Sequence, residues 1–241
     1  MTDTHYKLPR LYIKQALTND SFIELDRDQT HYLHTVMRKK NGDQIRVFNG
    51  QDGEWLCALE NLTQKSGAIN ITELIKPQPE TRPRIHLFFA PITKTRMDWM
   101  IEKAVELGVD EFHPVLTQNT EVRKIREERI NSQLIEASEQ CERLTLPILH
   151  SIVPLESALQ SWDADKPFLA CIERYDAKPI MNTVSDHDTA VLIGPVGGFT
   201  EDEKNWLSNQ DKIIPVSLGA HVLRCETAAL YAVSVLQAKK A

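Results

Sequence analysis

Residues 191–200 read VLIGPVGGFT, and this short stretch decides the class of fold. Residues 191–193 form an apolar run that predicts a buried strand. Three glycines and a proline follow, which makes a tight loop whose backbone can approach a ligand closely. Thr200 is placed to cap a following helix, and Glu203 completes a capping box. A glycine-rich turn between a strand and a helix indicates an α/β sheet, in which ligands bind at the carboxyl ends of strands.

The spacing of these glycines excludes two common nucleotide-binding motifs. Gly194, Gly197 and Gly198 fit neither GxGxxG nor GxxxxGK[ST]. The alternative to a binding loop is a strand-to-helix turn that binds nothing, and glycine content alone leaves both open.

A second stretch, VSLGAHVLRCETA at residues 216–228, also lies between a predicted strand and a predicted helix. Its apolar side chains can form a wall for a planar base, while exposed backbone groups hydrogen-bond that base. Arg224 is a fixed cation with planar donors, and Glu226 stands where a helix begins, a favourable place for a carboxylate. The alternative is that Arg224 and Glu226 form an ordinary surface ion pair.

The rest of the C-terminal part alternates between strands and helices. Met97, Met100, Ile101, Ala104 and Val105 fall on one face of a helix that Gly108 ends. Further helices are predicted near 125–142 and over 226–239, and strands over 85–90, 112–116, 167–172, 190–193 and 213–216. This order predicts a mainly parallel sheet with helices on its faces.

The N-terminal part has a different pattern of predicted secondary structure. Residues 44–48, 54–59 and 67–75 predict three short strands, with turn residues at 49–53 between the first two. Short strands and turns favour a compact barrel. Three prolines at 77–83 indicate a linker, so we expect an N-terminal domain over 1–76 and an α/β domain over 84–241.

Composition narrows the class of protein. The chain has 241 residues and a formal net charge of −6, which argues only weakly against a nucleic-acid partner because local charge matters more than the total. We see no signal segment and no apolar run long enough to span a membrane, so we expect a cytoplasmic protein without a membrane partner. The four cysteines are scattered and the histidines lack zinc spacing, so we expect no metal.

Five segments, in the same order, resemble the RsmE family of SPOUT methyltransferases. They are HTVMRKKNGDQIRVFNG at 34–50, TKTRMDWMIEKAVELGV at 93–109, EASEQCERLTLP at 136–147, LIGPVGGFTEDE at 192–203 and VSLGAHVLRCETAAL at 216–230. The resemblance implies an N-terminal PUA-like β-barrel and an α/β domain with a C-terminal deep trefoil knot. Periodicity alone could not predict a knot, because knots are rare.

The activity that the resemblance implies is methylation of N3 of a uridine in small-subunit (16S) ribosomal RNA by S-adenosylmethionine. It further implies that both C-terminal loops thread the knot and hold the cofactor in a bent pose, and that the enzyme is a homodimer with sites at the subunit interface. The candidate cofactor-binding residues are Ile193, Gly194, Pro195, Gly197, Gly198, Val216, Ser217, Leu218, Gly219, Val222, Leu223 and Thr227. Arg224 is the candidate catalytic residue, because a cation can stabilise the uracil anion that forms when the N3 proton leaves.

A basic cluster in the N-terminal domain is the candidate RNA contact. Arg38, Lys39 and Lys40 form its centre, with Arg10 earlier in the chain. Arg143 in the middle segment is a further candidate. The alternative for the cluster is a solvated turn.

Two positions depart from the family pattern. Val196 stands where the family usually has Glu, and His221 where it usually has Arg. Backbone-mediated cofactor binding should survive both changes, but whatever a Glu side chain contributes to substrate binding or loop ordering is missing from this chain. Two other functions therefore stay open: methylation of another RNA base or a ribose, and a non-catalytic RNA-binding or ribosome-assembly factor that kept the fold.

Overall fold

The computed structural model describes residues 5–183 and 186–240. The chain forms two compact units. The first contains the chain up to Thr81 together with Ser138–Leu146, and the second contains Arg82–Ala137 and the chain from Pro147 onward. Local sequence patterns did not predict that Ser138–Leu146 groups with the N-terminal unit.

The N-terminal unit is built on a five-stranded mixed sheet. Its strands, in chain order, are β1 Arg10–Tyr12, β2 Phe22–Glu24, β3 Gln44–Phe48, β4 Glu54–Glu60 and β5 Ala68–Lys76. The order across the sheet is β1-β3-β4-β5-β2, with β1 and β3 parallel and the other pairs antiparallel. The three predicted strands are confirmed as β3, β4 and β5.

Helical turns lie between β2 and β3, a segment for which we predicted no helix. Helix α1 spans Arg27–His31 and continues into one π-helical turn over Tyr32–Val36. Asp26 and Gln29 form a reciprocal capping box at the start of α1. The core of this unit is apolar and includes Leu33, packed with side chains from all five strands.

The C-terminal unit is an α/β sheet in which every described strand pair is parallel, as predicted. Its strands are β6 Ile85–Phe89, β7 Glu111–Leu116, β8 Ile148–Leu149, β9 Val153–Pro154, β10 Phe168–Cys171, β11 Lys178–Pro179, β12 Thr189–Ile193 and β13 Ile213–Ser217. The order is β11-β13-β10-β12-β6-β7-β8, and β9 pairs with β7 beyond the end of β8. Fully buried β6 and β12 lie at its centre, as the apolar runs predict.

Five α-helices accompany this sheet in the part of the chain that the structure describes. They are α2 Lys94–Glu106, α3 Glu127–Gln140, α4 Leu155–Gln160, α5 Glu201–Ser208 and α6 Cys225–Lys240. The five apolar residues predicted for one face of α2 are all buried, and Gly108 follows the helix with a left-handed φ of +91°. The predicted capping box of Thr200 and Glu203 is present at the start of α5.

Within the described residues, none of the helices is both long and apolar enough to cross a membrane.

Candidate functional site

Three neighbouring strands of the C-terminal unit end in line. β10 lies between β12 and β13, and Cys171 at its end is in register with Ile193 on one side and Val216 on the other. The loops that follow these strands therefore leave the same edge of the sheet side by side. In a parallel α/β sheet, this carboxyl edge is where ligands bind.

A cavity of about 230 Å³ lies among these three loops. Its lining includes these predicted cofactor-binding residues: Ile193, Gly194, Pro195, Gly198, Val216, Ser217, Leu218, Gly219, Val222 and Leu223. The structure thus brings the two motif loops together around one space, although they are some twenty residues apart in the chain. The sheet order explains this, because a single strand separates the two strands that carry the motifs.

The backbone of the cavity has little room for larger residues. A Cβ atom on Gly194 would lie 2.8 Å from the ring of Phe199, and one on Gly198 would lie 2.6 Å from Oε1 of Glu173. Gly198 and Gly219 also have left-handed φ values of +71° and +112°, which L side chains rarely adopt. These glycines let the loops turn tightly and leave their backbone open to a ligand.

The third loop, which follows β10, was not singled out from sequence. Cys171, Ile172, Glu173, Arg174 and Tyr175 line the cavity from this side. Glu173 and Arg174 give the cavity one carboxylate group and one guanidinium group. A strand was predicted here, so a loop at the carboxyl edge of the sheet was expected. Nothing in the local sequence, however, indicated that β10 lies between the two motif strands.

Three of the predicted site residues lie beside the cavity but do not line it. Among the residues described, the lining leaves out Gly197, Thr227 and Arg224. Gly197 faces Asn119, whose side-chain amide donates to the carbonyl of Gly198 at 2.9 Å and so fixes this loop. Thr227 and Arg224 are exposed at the beginning of α6, next to lining residues Leu223 and Cys225.

Glu226 is anchored where α6 begins, but by a residue other than Arg224. Its carboxylate accepts two hydrogen bonds from the guanidinium of Arg96 on α2, at 2.9 and 2.5 Å. Burial alone would raise the pKa of Glu226, but the hydrogen bond from Arg96, a backbone hydrogen bond at the helix start and the charges of Arg96 and Arg224 together outweigh burial and hold this pKa below its usual value. The Arg96–Glu226 ion pair therefore fixes the helix that follows the second motif loop, and the charge of the nearby Arg224 adds to the lowering of the Glu226 pKa.

The two thiols at the cavity are not activated. Burial raises the pKa of Cys171 to about 12 and also raises that of Cys225. Both stay protonated at neutral pH, and a thiol is a far weaker nucleophile than a thiolate. The cavity is therefore suited to binding rather than to covalent chemistry through cysteine.

The basic cluster of the N-terminal unit divides into an exposed and a buried part. Arg38 and Lys40 are exposed and Lys39 is partly exposed, on a turn where Asp43 accepts a hydrogen bond from the backbone of Lys40 at 2.9 Å. Residues 38–40 thus present three positive charges on an ordered turn, which is the arrangement that a phosphate contact needs.

Arg10 belongs to the buried part, which is a correction to the sequence analysis. Only 7% of its surface is exposed. Its guanidinium pairs with Glu54 at 2.5 Å, donates to the carbonyls of Ser138 and Arg143 at 2.7 Å each, and stacks 3.6 Å from the ring centre of Phe48. With its donors engaged inside the unit, Arg10 cannot reach an RNA phosphate, so its predicted role is wrong.

Arg143 is partly buried, in the segment that packs with the N-terminal unit. Its Nε donates to the carbonyl of Thr145 at 2.8 Å, and its own carbonyl accepts from Arg10. The side chain therefore helps to fix the backbone of this segment. Its role as an RNA contact stays a prediction.

Two histidines read as isolated in the sequence are close together in the fold. His86 Nδ1 and His113 Nε2 are 3.1 Å apart, beside the carboxylate of Glu111. Sequence spacing could not reveal this cluster, because parallel pairing of β6 with β7 places residues 27 positions apart side by side.

Family models match both parts of the chain. The model described as an RNA methyltransferase domain matches residues 79–237. The model described as an RNA methyltransferase PUA domain matches residues 25–71. The first match covers well over half of the chain and includes all three loops around the cavity.

Curated relatives and solved structures resemble the whole chain. Ribosomal RNA small subunit methyltransferase E of Rickettsia conorii is 32% identical over 234 residues, which cover 95% of this chain and 94% of the relative. The protein of the same name from Bacillus subtilis is 27% identical and covers 92% of each chain. A crystal structure of the Neisseria gonorrhoeae enzyme of this name, bound to S-adenosyl methionine, superposes with a TM-score of 0.87 at 26% identity, over 96% of this chain and 97% of that one.

A putative methyltransferase from Legionella pneumophila, in complex with bound cofactor SAM, superposes equally well. Its TM-score is 0.87 at 30% identity, over 96% of this chain and 98% of that one. The family-model match, the full-length relative above 30% identity and the shared fold agree: the chain belongs to the ribosomal RNA small subunit methyltransferase E family.

Proposed function

We propose that this protein transfers a methyl group from S-adenosylmethionine to N3 of a uridine in small-subunit ribosomal RNA. The observation that carries the proposal is the cavity at the carboxyl edge of the sheet, which is formed by the two loops that bear the family motifs together with the loop after β10. Relatives named for methylation of this RNA, and structures that hold the cofactor, support it.

The residues around the cavity fit S-adenosylmethionine. Leu218, Val222 and Leu223 provide an apolar wall for an adenine ring, and the tight glycine loops expose backbone groups for its polar edge. The carboxylate of Glu173 can accept hydrogen bonds from ribose hydroxyls or an ammonium group, and Arg174 can pair with a carboxylate. A zwitterionic nucleoside would thus find both charges complemented.

When bound, S-adenosylmethionine supplies an activated methyl group. This chain's residues then have to align a uracil ring and stabilise the anion that forms when the N3 proton leaves. Arg224 is exposed next to the lining residue Leu223, where a fixed cation can stabilise negative charge that develops on the ring. Electrostatic stabilisation of this kind typically contributes about 10²–10³ in rate per donor.

Substitution of Arg224 tests this role. We expect Arg224→Ala to lower kcat at saturating RNA by at least about tenfold while the Kd for S-adenosylmethionine changes little. Arg27→Ala, which removes an exposed arginine from α1, is the matched control and should leave kcat unchanged. Full kcat in Arg224→Ala would contradict the assignment.

RNA affinity is proposed to come from Arg38, Lys39 and Lys40, with Arg143 as a further contact. We propose the N-terminal domain over 1–76 as an RNA-binding PUA-like barrel, joined by the linker 77–83 to the catalytic domain over 84–241. The exposed cations at 38–40 support this role, because phosphate contacts supply most of the sequence-independent affinity for RNA.

We further propose that the enzyme is a cytoplasmic homodimer with a trefoil knot through which the two motif loops pass. Trp99 on α2 and Tyr231 on α6, two helices that pack against each other, leave large apolar side chains exposed. A second copy would cover such a surface. Sedimentation analysis should give a dimer at micromolar concentration, and a monomer would contradict the proposal.

A substitution of Val196 tests the alternative that the protein is a non-catalytic factor. The side chain is half exposed at the tip of the first motif loop, so a glutamate fits there without steric cost. If the wild-type protein binds S-adenosylmethionine and RNA without methyl transfer, and Val196→Glu restores turnover, the chain is an assembly factor that kept the fold. Turnover by the wild-type protein rules this alternative out.

A further inference from the structure

A cluster of three histidines and one glutamate lies at the edge of the sheet opposite the cavity. His86 follows the first residue of β6, Glu111 begins β7, and His113 comes two residues later. His86 is in register with Glu111, and the backbone of His150, just after β8, donates to the carbonyl of Phe112. The cluster therefore lies at the amino ends of strands whose neighbours carry the cavity at their carboxyl ends.

Three potential ligand atoms in this cluster converge on one point. His86 Nδ1 and His113 Nε2 are 3.1 Å apart, and they lie 3.6 and 3.7 Å from Oε2 of Glu111. A circle through these three atoms has a radius of about 2.0 Å, which matches the roughly 2.0–2.2 Å bonds of Zn²⁺ to imidazole nitrogen and carboxylate oxygen.

Neighbouring groups hold the glutamate in place. Arg84 Nη1 pairs with Oε1 of Glu111 at 2.7 Å, which leaves Oε2 directed at the histidines. This arrangement resembles the outer-shell hydrogen bonds that orient carboxylate ligands at metal sites. His150 Nε2 lies 2.7 Å from the same Oε2, and its ring stacks 4.0 Å from that of His113. His150 is 42% exposed at its side chain, so an ion can enter beside it.

From this geometry, we propose that His86, Glu111 and His113 form a site for one divalent transition-metal ion, with Zn²⁺ as the best fit and water as the fourth ligand. Two imidazoles with one carboxylate favour zinc over magnesium or calcium, which prefer oxygen ligands alone. The site is separate from the cavity and serves to tie β6 and β7 together. It is independent of the proposed methyl transfer.

Metal binding to the untagged full chain tests the proposal. After dialysis against a chelator, the protein is titrated with Zn²⁺, and bound metal is measured by equilibrium dialysis and mass spectrometry. We expect one equivalent per chain, and titration with Co²⁺ should give the visible absorption of tetrahedral cobalt with nitrogen ligands. Less than stoichiometric binding by the folded wild-type protein would overturn the proposal.

Variants locate the bound ion. His113→Gln and His86→Asn should each weaken Zn²⁺ binding by more than about 100-fold, and Arg84→Met by about 10–100-fold, the usual effect of losing an outer-shell partner. His31→Gln, at an exposed histidine on α1, is the matched control and should bind as the wild type does. Circular dichroism confirms that each variant is folded. If His86→Asn and His113→Gln bind zinc like the control, the ion lies elsewhere and the proposed site is a hydrogen-bonded cluster only.

Discussion

Replacing Gly194 with alanine perturbs the first motif loop where it is most crowded. A Cβ atom on Gly194 would lie 2.8, 3.0 and 3.1 Å from three ring atoms of Phe199. Phe199 is buried in a hydrophobic core cluster of the C-terminal unit, among side chains such as Phe168 and Leu192. The ring therefore cannot move away without disturbing this core, and the loop has to shift instead.

The expected cost follows from overpacking. Forcing an extra methyl group into a packed core typically costs about 1–3 kcal/mol. For a chain of this size, each kcal/mol lowers Tm by about 2–4 °C, so we expect a fall of about 2–12 °C. Gly194 and Phe199 both line the cavity. A loop displacement that removes about 1.4 kcal/mol from cofactor binding raises the Kd for S-adenosylmethionine about tenfold.

Scanning calorimetry and titration calorimetry on three proteins test this reasoning. Gly197→Ala is the matched control in the same loop, because its Cβ would come no closer than 3.4 Å to Asn119, an ordinary contact. We expect the control to stay within about 0.5 kcal/mol of the wild type. If Gly194→Ala melts and binds the cofactor as Gly197→Ala does, the crowding against Phe199 does not govern this loop.

Three further predictions concern charges. Glu54→Ala leaves two buried guanidinium groups without their shared carboxylate and should lower the free energy of unfolding by about 3–5 kcal/mol in urea, whereas the exposed Glu73→Ala should change it by less than about 0.5 kcal/mol. Because the pKa of Glu226 is lowered in the fold, its ion pair stabilises the protein at neutral pH, and this contribution is lost as pH falls through the acidic range. Arg96→Met should reduce that acid-side loss of stability, and an unchanged pH profile would refute the linkage. Alanine at all three positions 38–40 should weaken RNA binding and reduce the slope of log K against log salt by about 2–3 units; an unchanged slope would place the phosphate contacts elsewhere.

The elements that local patterns define were predictable from sequence. The apolar face of α2, the capping box of Thr200 and Glu203, and the buried runs that became β6 and β12 each follow from periodicity or from turn chemistry. Short elements such as β8, β9 and β11, with two residues each, carry no such signal, because their pairing depends on neighbours that are distant in the chain.

The candidate site was predictable only where motifs mark it. The two glycine loops stand out in the sequence, whereas Glu173 follows an ordinary apolar strand and reaches the cavity because β10 lies between β12 and β13. Strand order is a property of the whole sheet and cannot be read from a local pattern. The histidine cluster is hidden for the same reason.

The prediction that Arg10 contacts RNA failed for a different reason. A basic residue near other basic residues predicts a charged surface. Arg10 is buried instead, because it forms an ion pair with the buried carboxylate of Glu54. Glu54 lies 44 positions further along the chain, so the pairing is invisible until the sheet forms. Arg38 and Lys40, without such a partner strand, stay on the surface as expected.

The most direct test of the central claim is product analysis of the modified RNA. The purified protein is incubated with S-adenosylmethionine labelled in its methyl group and with small ribosomal subunits from cells that lack the activity, and the RNA is digested to nucleosides. We expect label in 3-methyluridine. Label in another base or in a ribose would contradict the proposed target, and RNA that stays unlabelled although the protein binds the cofactor would contradict the proposed activity.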